Sequence, residues 1–289
     1  MKVKVCAKLN LTLNVGKKKG EFHSIDSVAT SVDICDVVEV VKRNDTQICV
    51  QGVQQVEVEQ NTAYKAAEAF RRVFASTPHA ITGVDVSIRK GIPFGGGLGG
   101  SSADAVAVVY CMCKLFGVDI CSDTVRDLCS SLGSDVNFML FGGLGRLQGK
   151  GDQVTHNIMA KMLYFALTTF DVSMSSTRVY SAFDSVAAPQ PLADNVAVLD
   201  NLLRGDNAQA IALFSNHLQQ ATASIDGYAD NYLAFVASQK LSCNMTGSGS
   251  AYYIACVTQE DAESVARLLN ANGFATTVCT SVPRGIVEL

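Results

Sequence analysis

The stretch "IPFGGGLGGSSADA", residues 92–105, places five glycines, one proline and two serines in fourteen positions. Each glycine costs conformational entropy on ordering, so this much bare backbone implies close approach of something to the main chain. Three phosphate-binding templates compete for it. Gly95 and Gly100 have the spacing of a P-loop, but Ser101 stands where that loop needs its lysine. Gly95, Gly97 and Gly100 satisfy G-x-G-x-x-G, which also requires an acidic residue ending a second strand; Asp119 has a plausible distance but lies in a link between two helices. The third template is a glycine loop that feeds Ser101 and Ser102 into a helix start, where unpaired N–H groups and the positive end of the helix dipole hold an anion. A flexible linker that ends in a serine cap is the bland alternative.

The flanking elements fit the third template. "GVDVSIRK" reads as a strand before the loop and "SSADAVAVVYCMCKLF" as an apolar helix after it. Residues 2–15 alternate as one half-buried strand, with Val3, Val5, Ala7, Leu9, Leu11, Leu13 and Val15 on one face and Lys2, Lys4, Lys8, Asn10, Thr12 and Asn14 on the other. A turn at "GKKKGE" leads to strands over 27–41 and 47–59, then a helix over 61–75 capped by Asn61 or Thr62. A short helix over 122–132 precedes "GSDVNFMLFGG". Beyond a soft boundary near 150–160 follow a strand over 161–170, helices filling roughly 194–240, a strand over 250–257, a helix over 259–273 and a closing strand over 274–282. The pattern predicts an α+β chain in two parts, 1–155 and 156–289.

Composition narrows the class. The 289 residues are 48% hydrophobic and 17% charged, as in an ordinary globular protein. A net charge of −4 argues against nucleic acid as partner. No apolar run approaches the length of a membrane span, and "MKVKVCAKLN" lacks the apolar core of a secretory leader, so a cytoplasmic protein is expected. The ten cysteines are scattered; Cys111 and Cys113 form a lone C-x-C, while Cys6, Cys49, Cys129 and Cys256 sit in apolar runs and read as small buried hydrophobes in a reduced protein.

Four segments together resemble one family. "PFGGGLGGSSADA" is similar to the second motif of the GHMP kinases, "AKLNLTLNV" (7–15) to the first, "NMTGSGSAYYIA" (244–255) to the third, and "LGSDVNFMLFGG" (132–143) to the segment that carries the family's catalytic Asp. They lie in the family's order over nearly the whole chain. "AKLNLTLNVGKKKGEFHSIDSV" and "GLGRLQGKGDQV" further resemble the members whose acceptor is a cytidyl-diphosphate-linked methylerythritol, although Phe22 stands where Tyr is commoner and Ser101 replaces a glycine. The resemblance implies the two-domain GHMP fold, with a ribosomal-protein-S5-like N-terminal domain and a ferredoxin-like C-terminal one. It implies transfer of the ATP γ-phosphoryl group to a hydroxyl of a small-molecule substrate, with Mg²⁺ accompanying ATP and no protein ligand of the metal assigned. Lys8 and Asp135 would be catalytic. Pro93, Phe94, Gly95, Gly96, Gly97, Leu98, Gly99, Gly100, Ser101, Ser102 and Ala103, with Asn61 and Lys90, would hold ATP. Gly247, Ser248 and Gly249 would approach the phosphates. Asn10, Phe22, His23, Thr177 and Tyr180 would meet the acceptor, Phe22 and His23 on its cytosine. No membrane partner and a monomer or weak homodimer are expected. Mevalonate- or homoserine-kinase activity, or a GHMP fold that has lost catalysis, are the rival readings.

Overall fold

The computed structural model describes residues 1–20, 22–53, 57–75, 81–186 and 191–289. The alternating N-terminal segment forms two strands, β1 (Lys2–Asn10) and β2 (Thr12–Lys19), instead of one. The break at Leu11 lets both pair antiparallel with β3 (Phe22–Lys42), a single strand of 21 residues that serves as the spine of the sheet. The predicted strand over 47–59 is confined to β4 (Ile48–Gln51). Gly52 then turns away with φ +93°, pressed against the Ile88 carbonyl, and residues 54–56 lie outside the described part. Asn61 caps α1 (Thr62–Val73) by accepting the Ala63 N–H at 2.8 Å, as its position suggests.

β5 (Val84–Arg89) pairs with β3 and delivers the chain into the glycine loop. α2 (Gly100–Phe116) follows, then α3 (Asp123–Leu132), α4 (Val136–Phe141) and the hairpin β6 (Leu144–Gly149) and β7 (Gln153–Asn157). α2 is apolar on most sides and is buried between β1, β3, α1 and α4. In the second half, β8 (Tyr164–Thr168) precedes α5 (Ser176–Phe183), α6 (Asn195–Arg204), α7 (Asn207–Ile211), the short β9 (Ser215–Asn216), α8 (Leu218–Asp226) and α9 (Asp230–Ser238). The chain ends with β10 (Asn244–Met245), β11 (Tyr252–Cys256), α10 (Gln259–Ala271), β12 (Thr276–Val282) and β13 (Ile286–Glu288).

The strands order as β10-β11-β8-β12-β3-β1-β13, with β2, β5 and β6 joined to the long β3 as well. The last two strands thus return to the first half: β12 pairs with β3, and β13 pairs with β1. Two apolar cores result. One lies beneath α1 and α2 and includes Leu9, Phe70, Val108, Met112 and Phe138; the other, around Tyr232, Tyr252 and Leu269, takes in Leu13 and Val15 from β2. β1 therefore belongs to the first core and β2 to the second, and the polar residues Lys8 and Asn10 of β1 lie where the two halves meet. No helix among the described residues is long and apolar enough to cross a membrane.

Candidate active site

A cleft of about 950 Å³ opens at this junction, with Lys8 and Asn10 of β1, the glycine loop, residues 133–135 and the 247–249 turn among its walls. Its floor is the pair Lys8 and Asp135, with Nζ 3.3 Å from Oδ2. Lys8 is 5% exposed at its side chain and Asp135 25%, so the ion pair is sheltered yet reachable. Asp135 is the residue before α4, but its carboxylate does not cap that helix; it is turned to Lys8. Lys8 is fixed twice more: its N–H donates to the Leu98 carbonyl at 3.0 Å, and its Nζ donates to Asn10 Oδ1 at 2.5 Å.

Asn10 lines the cleft and is also held by the protein. Its Oδ1 also accepts the Gly247 N–H (3.1 Å), and its Nδ2 donates to Ser27 Oγ (2.8 Å). It is 3% exposed. These contacts let it position Lys8 and join β1 to the 247 turn.

The glycine loop is bare chiefly because the protein itself packs on it. A Cβ on Gly95 would fall 2.5 Å from Ser173 Oγ, on Gly97 2.2 Å from the Thr246 carbonyl, and on Gly99 3.1 Å from Lys8 Cγ. All three have positive φ, a region that L side chains rarely enter. The Gly95 and Gly96 carbonyls accept the Ser250 and Ala251 N–H groups, which stitches the loop to the third motif. Gly99, with φ +75°, is the N-cap of α2; the serines do not cap it, and the helix begins at Gly100, one residue earlier than expected. Ser101 and Ser102 lie in the first turn and line the cleft, whereas Ala103 is buried behind it, with its N–H given to the Gly99 carbonyl.

Lys90 stands at the entry to the loop. Its Nζ lies 2.5 Å from Asp36 Oδ2 and 2.7 Å from Asp104 Oδ2. Asp36 is fully buried, and its Oδ1 accepts the N–H groups of Gly91 and Ile92 (2.7 and 2.9 Å), which pins the start of the loop to β3. Asp104 Oδ1 is buried with no hydrogen-bond partner among the described residues. Burial pushes the Asp104 carboxyl up to about 7, against the attraction of Lys90. The folded protein therefore keeps a proton that the unfolded chain loses near pH 4, and stability falls as pH rises through the window from about 4 to about 7. Asp104→Asn should flatten that part of the profile. Thermal midpoints at pH 5 and pH 7.5 should differ by a few °C less in the variant, since each pH unit over which only the folded chain holds the proton is worth about 1.4 kcal/mol. Equal slopes in the two proteins would exclude a protonated Asp104.

The remaining expected residues divide. Pro93, Phe94, Asn61, Lys90, Tyr180, Gly247, Ser248 and Gly249 all line the cleft; Thr177 is exposed outside it. Successive strand residues point to opposite faces, and Phe22 and His23 separate accordingly. His23 is buried, stacked on Tyr180 (centroids 5.3 Å apart) and hydrogen-bonded through Nε2 to Asp184 Oδ1 at 2.8 Å. Phe22 is 62% exposed. Tyr180 adjoins Asp135, and burial with that carboxylate's charge lifts its phenol to about 12, so it stays a hydrogen-bond donor. Lys150, Ser134 and Ser176 also line the cleft, and Asp36 and Asp104 support it; none of the five is expected from sequence. Lys150 lies in "GKGDQV", where nothing in its spacing distinguishes it from a solvated lysine.

Fold and cleft together define a small-molecule kinase of the GHMP class: residues 61–143 match the family model described as GHMP kinases N terminal domain. The chain is 30% identical over 284 residues to the 4-diphosphocytidyl-2-C-methyl-D-erythritol kinase of Streptomyces avermitilis, covering 95% of this chain and 94% of the relative. It is 31% identical over 286 residues to the enzyme of the same name from Mycobacterium tuberculosis, covering 96% and 88%. A crystal structure of 4-(cytidine 5'-diphospho)-2C-methyl-D-erythritol kinase shares the fold with TM-score 0.77 at 23% identity, over 97% of this chain and 98% of that one. Homoserine kinase from Cytophaga hutchinsonii shares it with TM-score 0.75 at 17% identity, over 100% and 97%. The chain belongs to the GHMP kinases and, within them, to the family of 4-diphosphocytidyl-2-C-methyl-D-erythritol kinases.

Proposed function

We propose that the cleft transfers the γ-phosphoryl group of ATP to the 2-hydroxyl of 4-diphosphocytidyl-2-C-methyl-D-erythritol, a step of non-mevalonate isoprenoid synthesis. The observation that carries the reading is the sheltered Lys8–Asp135 pair beneath the glycine loop and the start of α2. Phosphoryl transfer asks for positioning and charge stabilisation more than covalent chemistry. The first-turn N–H groups of α2, which helix geometry leaves without intrahelical partners, receive the phosphates. Lys90, held between Asp36 and Asp104, lines the cleft beside that turn, as do Asn61 and Phe94. Asp135 accepts the acceptor hydroxyl's proton; Lys8, 3.3 Å from it, orients the carboxylate and offsets charge on the transferring group.

Among the described residues no group of three or more His, Cys, Asp or Glu could hold a metal ion. This fits a Mg²⁺ that arrives with ATP and takes its ligands mainly from phosphate and water, with at most a carboxylate or a serine hydroxyl such as Ser102 from the chain. When bound it neutralises phosphate charge.

The exposed ring of Phe22 offers a stacking face for cytosine. Phe22 and His23 do not themselves line the cleft, and the His23–Tyr180 stack links their strand to it, where Tyr180 lies near Asp135. Stacking a base on an aromatic ring is worth roughly 1–3 kcal/mol. Phe22→Ala should therefore raise KM for the cytidyl substrate about tenfold to a hundredfold, leave KM for ATP unchanged, and be nearly silent as Phe22→Tyr. The test of the function is ATP consumption with cytidyl and uridyl acceptors, mevalonate and homoserine. Faster turnover of mevalonate or homoserine would overturn the acceptor assignment and leave a kinase.

A further inference from the structure

Cys6 and Cys35 face each other across β1 and β3, with their sulfurs 2.9 Å apart. The Cys6 N–H donates outward to the Gly285 carbonyl, away from β3. The two cysteines thus form a non-hydrogen-bonded pair, the kind in which side chains of antiparallel neighbours approach most closely. The Cα spacing of such pairs, about 4.5 Å, lies within the range that a disulfide spans. Cys6 is 4% exposed, whereas Cys35 is only half-buried and can be reached from solvent. Among the described residues the remaining cysteines have no such partner; Cys121, the exposed one, stands by itself.

We propose that Cys6 and Cys35 form a modification site, which a hydroperoxide closes to a reversible disulfide and which thereby weakens ATP binding at the cleft. The Cys35 thiolate attacks the peroxide O–O bond, gives a sulfenic acid and releases water once the leaving oxygen is protonated. The Cys6 sulfur then attacks Cys35 Sγ, forms the S–S bond and expels a second water. Two thiols lose two electrons and two protons, and one hydrogen peroxide becomes two waters. The hydrogen bond between the two thiols lowers Cys35 from the usual thiol value, and the same bond, followed by burial, raises Cys6 and keeps it protonated until it reacts. Lys4 favours the Cys35 thiolate, while Asp33 and Asp36 oppose it.

The link to the cleft is structural. A Cβ on Gly91 would lie 2.3 Å from the Cys35 carbonyl, so Cys35 packs directly on the entry to the glycine loop. The next residue, Asp36, carries Lys90 and the Gly91 and Ile92 amides. Cys6 lies two residues before Lys8, on the same face and beside the irregularity in pairing at Cys6/Ala7. Drawing the sulfurs from 2.9 Å to about 2.05 Å moves both anchors.

This consequence rests on the kinase reading; the cross-link does not. The folded protein is treated with one equivalent of hydrogen peroxide, digested, and mapped by mass spectrometry, and ATP binding is followed by calorimetry before and after reductant. The expected result is a 6–35 cross-linked peptide two mass units lighter than its reduced parts, with ATP Kd raised about threefold or more and restored by dithiothreitol. Cys6→Ser should stop at a Cys35 sulfenic acid that dimedone traps, and Cys35→Ser should form no cross-link. Oxidation that falls elsewhere, or a 6–35 cross-link with ATP Kd unmoved, overturns the proposal. Absence of ATP binding in the reduced protein would instead count against the kinase reading.

Discussion

Replacing Lys8 with Ala should lower kcat by at least about 10², the range for a positioned acid–base or charge-stabilising group, and Asp135→Asn should do the same. The two side chains touch at 3.3 Å in a sheltered floor, and each sets the other's charge environment. Removing Lys8 leaves the Asp135 carboxylate without its ion-pair partner and the transferring phosphoryl group without the cation of the cleft floor. Removing the Asp135 charge leaves the acceptor hydroxyl without a base. Because both losses break the same arrangement, the double variant should fall well short of the product of the two single effects. Single-turnover rates with saturating ATP, alongside calorimetric ATP affinity, separate chemistry from binding. A variant that keeps most of its kcat would remove that residue from the chemistry. Asn10 provides a graded companion. It touches Lys8 and also the Gly247 amide, so Asn10→Ala should reduce kcat less than Lys8→Ala does.

The glycine loop, the helix after it and the α+β order were legible because each is written in local pattern: period two in β1 and β5, a capping asparagine before α1, a dense run of small residues before α2. What stayed hidden depends on contacts between distant segments. Lys90 was expected at the nucleotide, but nothing in the sequence showed that β3 brings Asp36 beside it and α2 brings Asp104. The protein contacts of Asn10 stayed hidden because alternation gives the face of a strand and not what packs on it; the 247 turn packs there. The resemblance sets Phe22 and His23 together on cytosine, yet a strand sends neighbours to opposite faces, and His23 packs on Tyr180 and Asp184. The break at Leu11 left no mark in the alternation, since β1 and β2 keep the same inward parity on either side of it. Cys6 read as a small hydrophobe, because no pattern in one strand reports the thiol opposite it in another.

The loop's dependence on the distant third motif makes Gly97→Ala the other substitution of large expected effect. Gly97 has φ +74°, and its missing Cβ would sit 2.2 Å from the Thr246 carbonyl and 3.0 Å from that of Gly249. These are backbone atoms, so no rotamer change relieves the clash; the loop and the 246–249 turn must part. That turn donates the Gly247 N–H to Asn10, and Asn10 holds Lys8. A displacement at Gly97 therefore reaches the Lys8–Asp135 pair through three contacts, and a misplacement of about 1 Å at reacting groups is enough to cost about 10² in rate. Gly117→Ala supplies the control. Gly117 has a similar φ of +70°, as the C-cap of α2, but nothing lies within 4 Å of its missing Cβ. It should lose about 1–2 kcal/mol of stability from backbone strain and keep its activity. Gly97→Ala should lose at least that much stability, and kcat/KM should fall about a hundredfold or more. Thermal midpoints and steady-state kinetics of the two variants, measured side by side, decide it. If Gly97→Ala kept wild-type kcat/KM while losing only as much stability as Gly117→Ala, the loop and the third motif would not be coupled to Lys8.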